Sequence, residues 1–509
     1  MNQIELAIFV SRCVAICDEM GAVLRQAAFS PNIKDRLDFS CALFDSSGEL
    51  FAQAAHVPVH LGSMAFAMAY IVEKRSWTEG DMLIFNDPYL GGTHLPDVTL
   101  VQPFFVAGQL LGFVANRAHH ANIGADSPGS MPISSTLEEE GLLIAPAFLF
   151  HQGNADEALF SYLETHLGSN TIGDLAAQGS ANALGVQRIE NLAHKTGAGV
   201  FQQAVQQTNQ YGFDIALKSL KVIPMGRYQF EDRLDDDGFA GQDLAIAVTI
   251  DVSEDHLTVD FSGTDHQVKG NVNCPLSVTA AAVFYCFRCL LPEYAPACSG
   301  IFKPIQISAP EACLVNAQRP AATAAGNVET SQRIVDCVFG ALAQALPDII
   351  PAASQGTMNN IAMGVHHDDQ GVSWDYYETL GGGTGGGPLG SGISAVQSHM
   401  TNTLNTPIES LEMHFPLRIK RYQIRRGSGG EGQSPGGDGL IREYEFLSSA
   451  EATLITERRR HSPWGLSGGK PGQAGSNMLD GMPLPGKCQL TVEAGQTLRV
   501  ETPGGGGWG

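Results

Sequence analysis

Glycine sets the strongest constraint on what this chain can become. It holds 58 glycines in 509 residues, well above the usual ~7%, and they cluster: GGGTGGG at 381–387, GSGGEGQSPGGDG at 427–439 and PGGGGWG at 503–509. Residues without side chains build no hydrophobic core, so such clusters mark backbone that turns or passes close to something. Three chemical readings of them fail. Gly385, Gly387 and Gly390 have GxGxxG spacing, but no clean strand precedes and no helix follows, as a dinucleotide site needs. Gly465, Ser467 and Gly469 fit GxSxG, but within a Pro/Gly-rich loop rather than a strand-to-helix elbow. Lys470 follows a glycine but precedes Pro471, so the Ser or Thr of a P-loop is missing. The glycine-dense ending PGGGGWG reads as close backbone packing.

Chemistry concentrates instead in residues 86–129. Apolar alternation predicts strands at 98–106 and 109–114 around an Ala107-Gly108 turn, with the second running into Asn116, Arg117, His119 and His120. Before the hairpin, His94 and Asp97 stand at i, i+3. A tight hairpin returns the chain to its start, so His94 and Asp97 can face His119 or His120. Two imidazoles and a carboxylate suit Zn, Mn or Fe(II) and leave positions open for water or substrate. Taken singly, each of these histidines reads as an ordinary loop or core residue.

The blocks FNDPYLGGTHLPDVTL and ANRAHHANIGADSPGSMP resemble the hydantoinase B family, whose relatives include 5-oxoprolinases and the large subunits of acetone-type carboxylases. Further blocks continue the resemblance: the stretch from Ser30 to Met64, DFSGTDHQVKGNVNCP, Asn327-Val-Glu329-Thr-Ser, HMTNTLNTPIESLE and the final ETPGGGGWG. It implies that His94, Asp97 and His119 hold one divalent ion (Mn, Zn or Fe), with His120, Asp38 and Asn122 as catalytic or supporting residues. The family usually has HHADIGG where this chain has Asn122 and Ala125. Glu140 is also a patterned position of the family, within a glutamate run that otherwise reads as a solvated helix start.

Candidate pocket residues surround this set. Lys34 and Arg36 precede a predicted hairpin (38–44 and 49–53), and His56 and His60 follow it, with Pro58 between them arguing against a helix there. Arg117, His399 and Asn402 complete the group. Thr406, Pro407 and Glu409 have the spacing of a helix-capping box.

The formal charge of −23 argues against nucleic acid or an anionic membrane as partner. No basic leader and no run of ~20 apolar residues is present, which points to the cytoplasm. The ten cysteines are scattered through apolar runs and read as buried free thiols, Cys286-x-x-Cys289 included. The expected fold is α+β: antiparallel hairpins around a Gly-rich site, a central helical region and a β-rich last third. It divides as 1–150, 151–225, 226–350 and 351–509.

The resemblance implies the B-type subunit of an ATP-dependent cyclic amidohydrolase acting on a small cyclic amide (a hydantoin, 5-oxoproline or another lactam). A hydantoinase A-type partner in a hetero-oligomer would carry ATP and Mg, and no nucleotide site is expected in this chain. Backbone N–H groups of the glycine loops are candidate oxyanion or phosphate donors. A ketone-carboxylase subunit and a non-catalytic scaffold remain as alternatives.

Overall fold

Every residue except Ala55, Asp126 and residues 366–372 is described in the computed structural model. Helix α1 (Gln3–Ala27) opens on a reciprocal capping box between Asn2 and Glu5, and a short turn of helix, α2 (Pro31–Lys34), follows. Then come β1 (Phe39–Asp45), β2 (Leu50–Gln53), α3 (Pro58–Glu73), β3 (Met82–Phe85), β4 (Asp97–Val106), β5 (Gln109–His119), β6 (Ala147–His151) and β7 (Asn154–Ala155). These strands form one antiparallel sheet ordered β2-β1-β5-β4-β3-β6-β7.

At the β4–β5 turn, Ala107 (φ 51°) and Gly108 (φ 77°) both take left-handed backbone, the two-residue turn whose twist matches the flanking strands. It fixes a register in which Asp97 faces His119, and β5 runs well beyond the expected strand end. Alternation along β5 sends its two faces to different partners. Val114 and Ala118 pack with α1 and with α4 (Glu157–Thr196), while Phe113 and Ala115 pack beneath α3. Against the expectation from sequence, Pro58 does not exclude a helix. The proline is the first residue of α3, where its missing N–H costs nothing and its fixed φ suits the helix. His60 therefore sits in the first turn, and His56 lies outside the helix.

The middle of the chain supplies α5 (Ala198–Leu220), β8 (Gly226–Asp236), β9 (Gln242–Val252), β10 (Leu257–Asp260), α6 (Leu276–Arg288), β11 (Ile305–Ser308) and α7 (Ser331–Ala345). Its sheet runs β11-β10-β9-β8, antiparallel except for the β10–β11 pair. Helices α6 and α7 share its core, and α6 leans on α3.

The last third is β-rich, as expected. Strands β12 (Asn360–Val365), β13 (Trp374–Thr379), β14 (Leu417–Arg425), β15 (Gly439–Phe446), β16 (Ala450–Ile455), β17 (Ser476–Leu479), β18 (Met482–Leu484), β19 (Lys487–Val492) and β20 (Thr497–Glu501) form two sheets. Their orders are β13-β12-β16-β19 and β14-β15-β20-β17-β18, closed on a core of Met363, Leu440, Tyr444, Leu454 and Val500. The short helix α8 (Ile408–His414) has Pro407 at its cap position and no side-chain capping bond. The expected capping box does not form, and the Thr406 hydroxyl has no partner.

The glycine clusters pack against one another. Gly505 N–H donates to Gly437 O (2.9 Å), Gly506 N–H to Ala353 O (2.8 Å) and Gly507 N–H to Lys470 O (2.8 Å), while Gly386 N–H donates to Gly506 O (2.8 Å). One segment thus bonds to at least four others, where a β-strand has two neighbours. The reason is steric: a Cβ on Gly505 would stand 2.0 Å from Thr384 O, and one on Gly436 would stand 2.0 Å from Gly505 O.

All ten cysteines are free and most are buried, with Cys289 exposed. Among the described residues no helix is long and apolar enough to cross a membrane.

Candidate metal centre

The register of β4 against β5 puts Asp97 and His119 on one sheet face, and the turn before β4 brings in His94. Three atoms converge: His94 Nε2 to Asp97 Oδ1 is 3.2 Å, His119 Nδ1 to Asp97 Oδ1 is 3.3 Å and His94 Nε2 to His119 Nδ1 is 3.2 Å. All three side chains are buried. The other carboxylate oxygen, Oδ2, accepts from Thr93 Oγ1 and from His60 Nε2, the latter at 3.3 Å. His60 Nδ1 in turn meets Ser40 Oγ at 3.0 Å. This network assigns the N–H of His60 to Nε2 and fixes the rotation of the carboxylate.

Asp97 Oδ1 is then a buried carboxylate oxygen with no hydrogen bond of its own, facing two imidazole nitrogens. Such an orphan is costly unless something bridges it. His94, Asp97 and His119 form a group able to hold a metal ion, and an N2O set at this spacing suits a divalent cation.

The electrostatics follow from burial and proximity. Burial opposes charge on Asp97, but His94 and His60 beside it hold its carboxyl well below the usual range. Burial also opposes charge on His94, yet Asp97 overrides it and the net direction is upward. Burial dominates at His119, whose pKa is lowered.

The donors line a cavity of only about 20 Å³, room for roughly one water. Val57, Val59, Val328, Met358 and Met400 give it an apolar side, and Asn327, Tyr377, Thr379 and Thr401 a polar one. The Tyr377 ring stacks on His119 (4.9 Å between centroids, 6° between planes), and its hydroxyl donates to Asn360 Oδ1 at 2.7 Å. Residues 398–404 form a strap over this side. Val59 N–H donates to Met400 O (3.1 Å) and Leu404 N–H to Arg36 O (3.0 Å).

Asp38 lines the cavity as well. Its Oδ2 stands 4.0 Å from His119 Nδ1 and 3.9 Å from Arg36 Nη2, and its side chain is 12% exposed against 2% or less for the three donors. Arg36 lies behind it, donating to Tyr377 O and Thr379 Oγ1 (both 3.1 Å).

The other sequence candidates lie elsewhere. His120, one residue past His119 and so on the opposite face, donates from Nε2 to Gln178 Oε1 of α4 (2.9 Å). Asn122 shapes the loop after β5, accepting from Gly124 N–H and donating to Asp375. Arg117 shares the His119 face but is spent on Thr99, Ser63 and Gly91 O beneath α3. His56 accepts from Cys41 N–H and packs against Gly21 of α1; burial lowers its pKa to about 4. His399 contacts Tyr285 and approaches Asp336 at 3.9 Å. Lys34 and Asn402 are exposed. The glycine-loop N–H groups at Gly383, Gly386, Gly505 and Gly506 are bound by backbone carbonyls, which leaves them no part in oxyanion binding.

Sequence reasoning gave no site role to Asn327, Tyr377, Thr379 or the apolar wall. Asn327 falls in a block of the family resemblance, but nothing local places these residues at the cavity, because the turn before α7, β13 and the strap reach it only through the tertiary fold. The patterned Glu140 does find a place: buried, it accepts from Ser134 Oγ (2.8 Å) and from Thr323 and Ala324 N–H (2.9 and 2.8 Å). Burial pushes its pKa up to about 7.

An α+β scaffold that buries a two-histidine, one-carboxylate set against a small cavity defines a site able to hold a metal ion. The chain belongs to the hydantoinase B/oxoprolinase family, which residues 2–509 match. It is 39% identical over 544 residues to 5-oxoprolinase 1 of Arabidopsis thaliana, covering 99% of this chain and 42% of that protein. It is 31% identical over 537 residues to a protein of a Pseudomonas species named as the B-type subunit of a D-/L-hydantoinase, covering 100% of this chain and 90% of that one. The chain thus spans about two-fifths of the plant 5-oxoprolinase and nearly all of the bacterial protein. The fold matches the ATP-dependent caprolactamase of Pseudomonas jessenii with a TM-score of 0.92 at 25% identity, over 100% of this chain and 91% of that one. It also matches an acetone carboxylase, with a TM-score of 0.90 at 16% identity over 100% and 76% of the two chains, a likeness of fold alone.

Proposed function

We propose that this chain is the hydrolytic, B-type subunit of an ATP-dependent cyclic amidohydrolase. The observation that carries the reading is the convergence of His94 Nε2, Asp97 Oδ1 and His119 Nδ1 within 3.3 Å of one another in a buried cavity. A divalent ion held there would supply Lewis acidity, acidifying water and polarising a carbonyl.

The chain's own residues do the rest. A lactam or hydantoin carbonyl is resonance-stabilised, and phosphorylation of its oxygen on an ATP-binding A-type partner makes the carbon electrophilic. Asp38, at the more open side of the cavity, accepts a proton from water as its oxygen bonds to that carbon. The ring C–N bond then breaks, the nitrogen takes a proton and leaves as an amine, and an acyl phosphate remains for a second water to cleave. His60 and Thr93 keep the Asp97 carboxylate turned towards the two histidines. The apolar wall of Val57, Val59, Val328, Met358 and Met400 keeps bulk water away from the donors.

The partner and ATP requirement are supported by the caprolactamase likeness and by the relative whose name makes it one component of a hydantoinase. The test is elemental analysis of wild type, His94→Ala and Asp97→Ala. It is followed by turnover of hydantoin, 5-oxoproline and caprolactam with ATP and a co-expressed A-type partner. About one divalent ion per chain, lost with turnover in both variants, is expected. Metal retained in both variants, or metal lost without loss of turnover, would sink the reading.

A further inference from the structure

Between β11 and α7 the chain makes one wide turn, a π-turn at Gly326–Thr330, of the kind that recurs at functional sites. It is clamped from several sides. Glu140 accepts the N–H groups of Thr323 and Ala324 just before it. Thr330 Oγ1 donates to Val272 O. Gly326 lies so close to the backbone that a Cβ there would stand 1.9 Å from Asn273 O. So held, the turn presents Asn327 and Val328 to the cavity that the His94, Asp97 and His119 donors line.

The Asn327 backbone is occupied: its N–H donates to Thr323 O (3.3 Å), and its carbonyl accepts from Ser331 Oγ (2.6 Å). Its side chain is idle. Asn327 is only 3% exposed, and its Oδ1 has no partner. Other buried asparagines are in use: Asn86 and Asn273 each bond backbone groups of distant segments, and Asn360 joins Glu329 to Tyr377. A buried carboxamide with nothing to bond is destabilising. Asn327 lines the same water-sized space as the candidate metal centre.

We propose that Asn327 is a catalytic residue whose carboxamide N–H donates to the carbonyl oxygen of the acyl phosphate, the oxygen that gathers negative charge as the second water adds to that carbon. This rests on the hydrolytic reading of the same cavity. Lining the same cavity as the metal donors, Asn327 supplies the neutral half of an oxyanion site and is pre-organised by the clamped turn.

Fluoride is a suitable probe, since a single-atom anion fits a water-sized cavity and accepts a hydrogen bond as an oxyanion does. The full chain would be loaded with Mn(II), its stoichiometry measured, and fluoride binding followed by ¹⁹F line broadening in wild type, Asn327→Ala and Asn327→Leu. The expected result is unchanged Mn content, fluoride affinity weakened about tenfold or more in both variants, and a melting temperature at or above wild type for Asn327→Leu. Equal fluoride affinity in all three proteins, or no broadening in wild type that holds Mn, would overturn the assignment and leave the metal reading standing. Variants that lose Mn and melt much earlier would make Asn327 structural and overturn it too. A wild type that takes up no Mn, Zn or Fe would fail the hydrolytic reading itself, and the assignment with it.

Discussion

At the residue scale, Glu329 carries a pH signature. It is fully buried, its Oε1 accepting from Met358 N–H (3.0 Å) and Asn360 Nδ2 (2.6 Å). Burial pushes its pKa up to about 8, with Glu457 raising it further and Lys487 opposing. The folded state therefore holds this proton more tightly than the unfolded chain. The resulting stabilisation is complete below the ordinary carboxyl range and is lost as pH rises through about 8. Between pH 5 and 8 the wild type should lose on the order of 3 kcal/mol that Glu329→Gln keeps. Denaturant midpoints of both proteins at the two pH values check this, and a gap that does not change with pH would refute it. The residues legible from sequence are those bound by local geometry: a two-residue turn fixes the Asp97–His119 register, and His94 is three residues away. Asn327 stands in a block of the family resemblance, but its place at the cavity, like that of Tyr377, is not legible, because it depends on how α7 and β13 dock. Alternation separates His119 from His120 only once β5 is known to continue that far, and apolar alternation alone ends the strand before either.

At the element scale, the helices and hairpins are largely readable from apolar period and turn residues, while their ends are not. Pro58 has the look of a helix breaker and is a helix start, since a proline inside a pattern and one at its first position look alike until the cap is seen. Thr406 fails in the opposite way, because the chain before α8 stays extended through Pro407. Helix α3 matters most, since it carries His60 and the Val57–Val59 wall and rests on α6 through Gly62. A Cβ there would meet Phe284 Cδ2 at 2.8 Å and Ala281 Cα at 2.9 Å. Gly62→Ala should force the helices apart and cost about 1–3 kcal/mol, read as a lowered denaturation midpoint. An unchanged midpoint would show that the α3–α6 contact yields freely.

At the scale of the whole molecule, the glycine clusters show in the sequence as a demand for close approach, but which segments approach cannot be read there, since glycine carries no side-chain pattern to match. The lattice should tolerate no added carbon. Gly505→Ala, with its Cβ 2.0 Å from Thr384 O, should destabilise by about 3 kcal/mol or more. Gly199→Ala, in α5 with nothing within 4 Å, should stabilise by about 0.5 kcal/mol. Similar midpoints for the two variants would refute the packing argument. The candidate metal cavity is likewise a product of the whole chain: the first sheet and the turn before β4 give the donors, the turn before α7 one wall, and β13 with the strap the roof. Its closure makes ion exchange a matter of timing. With His94, Asp97 and His119 each 2% exposed or less and Met400 bonded across to Val59, a chelator in solution would have no direct path to an ion held there. Stripping by EDTA should speed up with chelator only to a ceiling, set by how often the strap lifts. Loosening the strap should raise that ceiling while leaving equilibrium affinity almost unchanged.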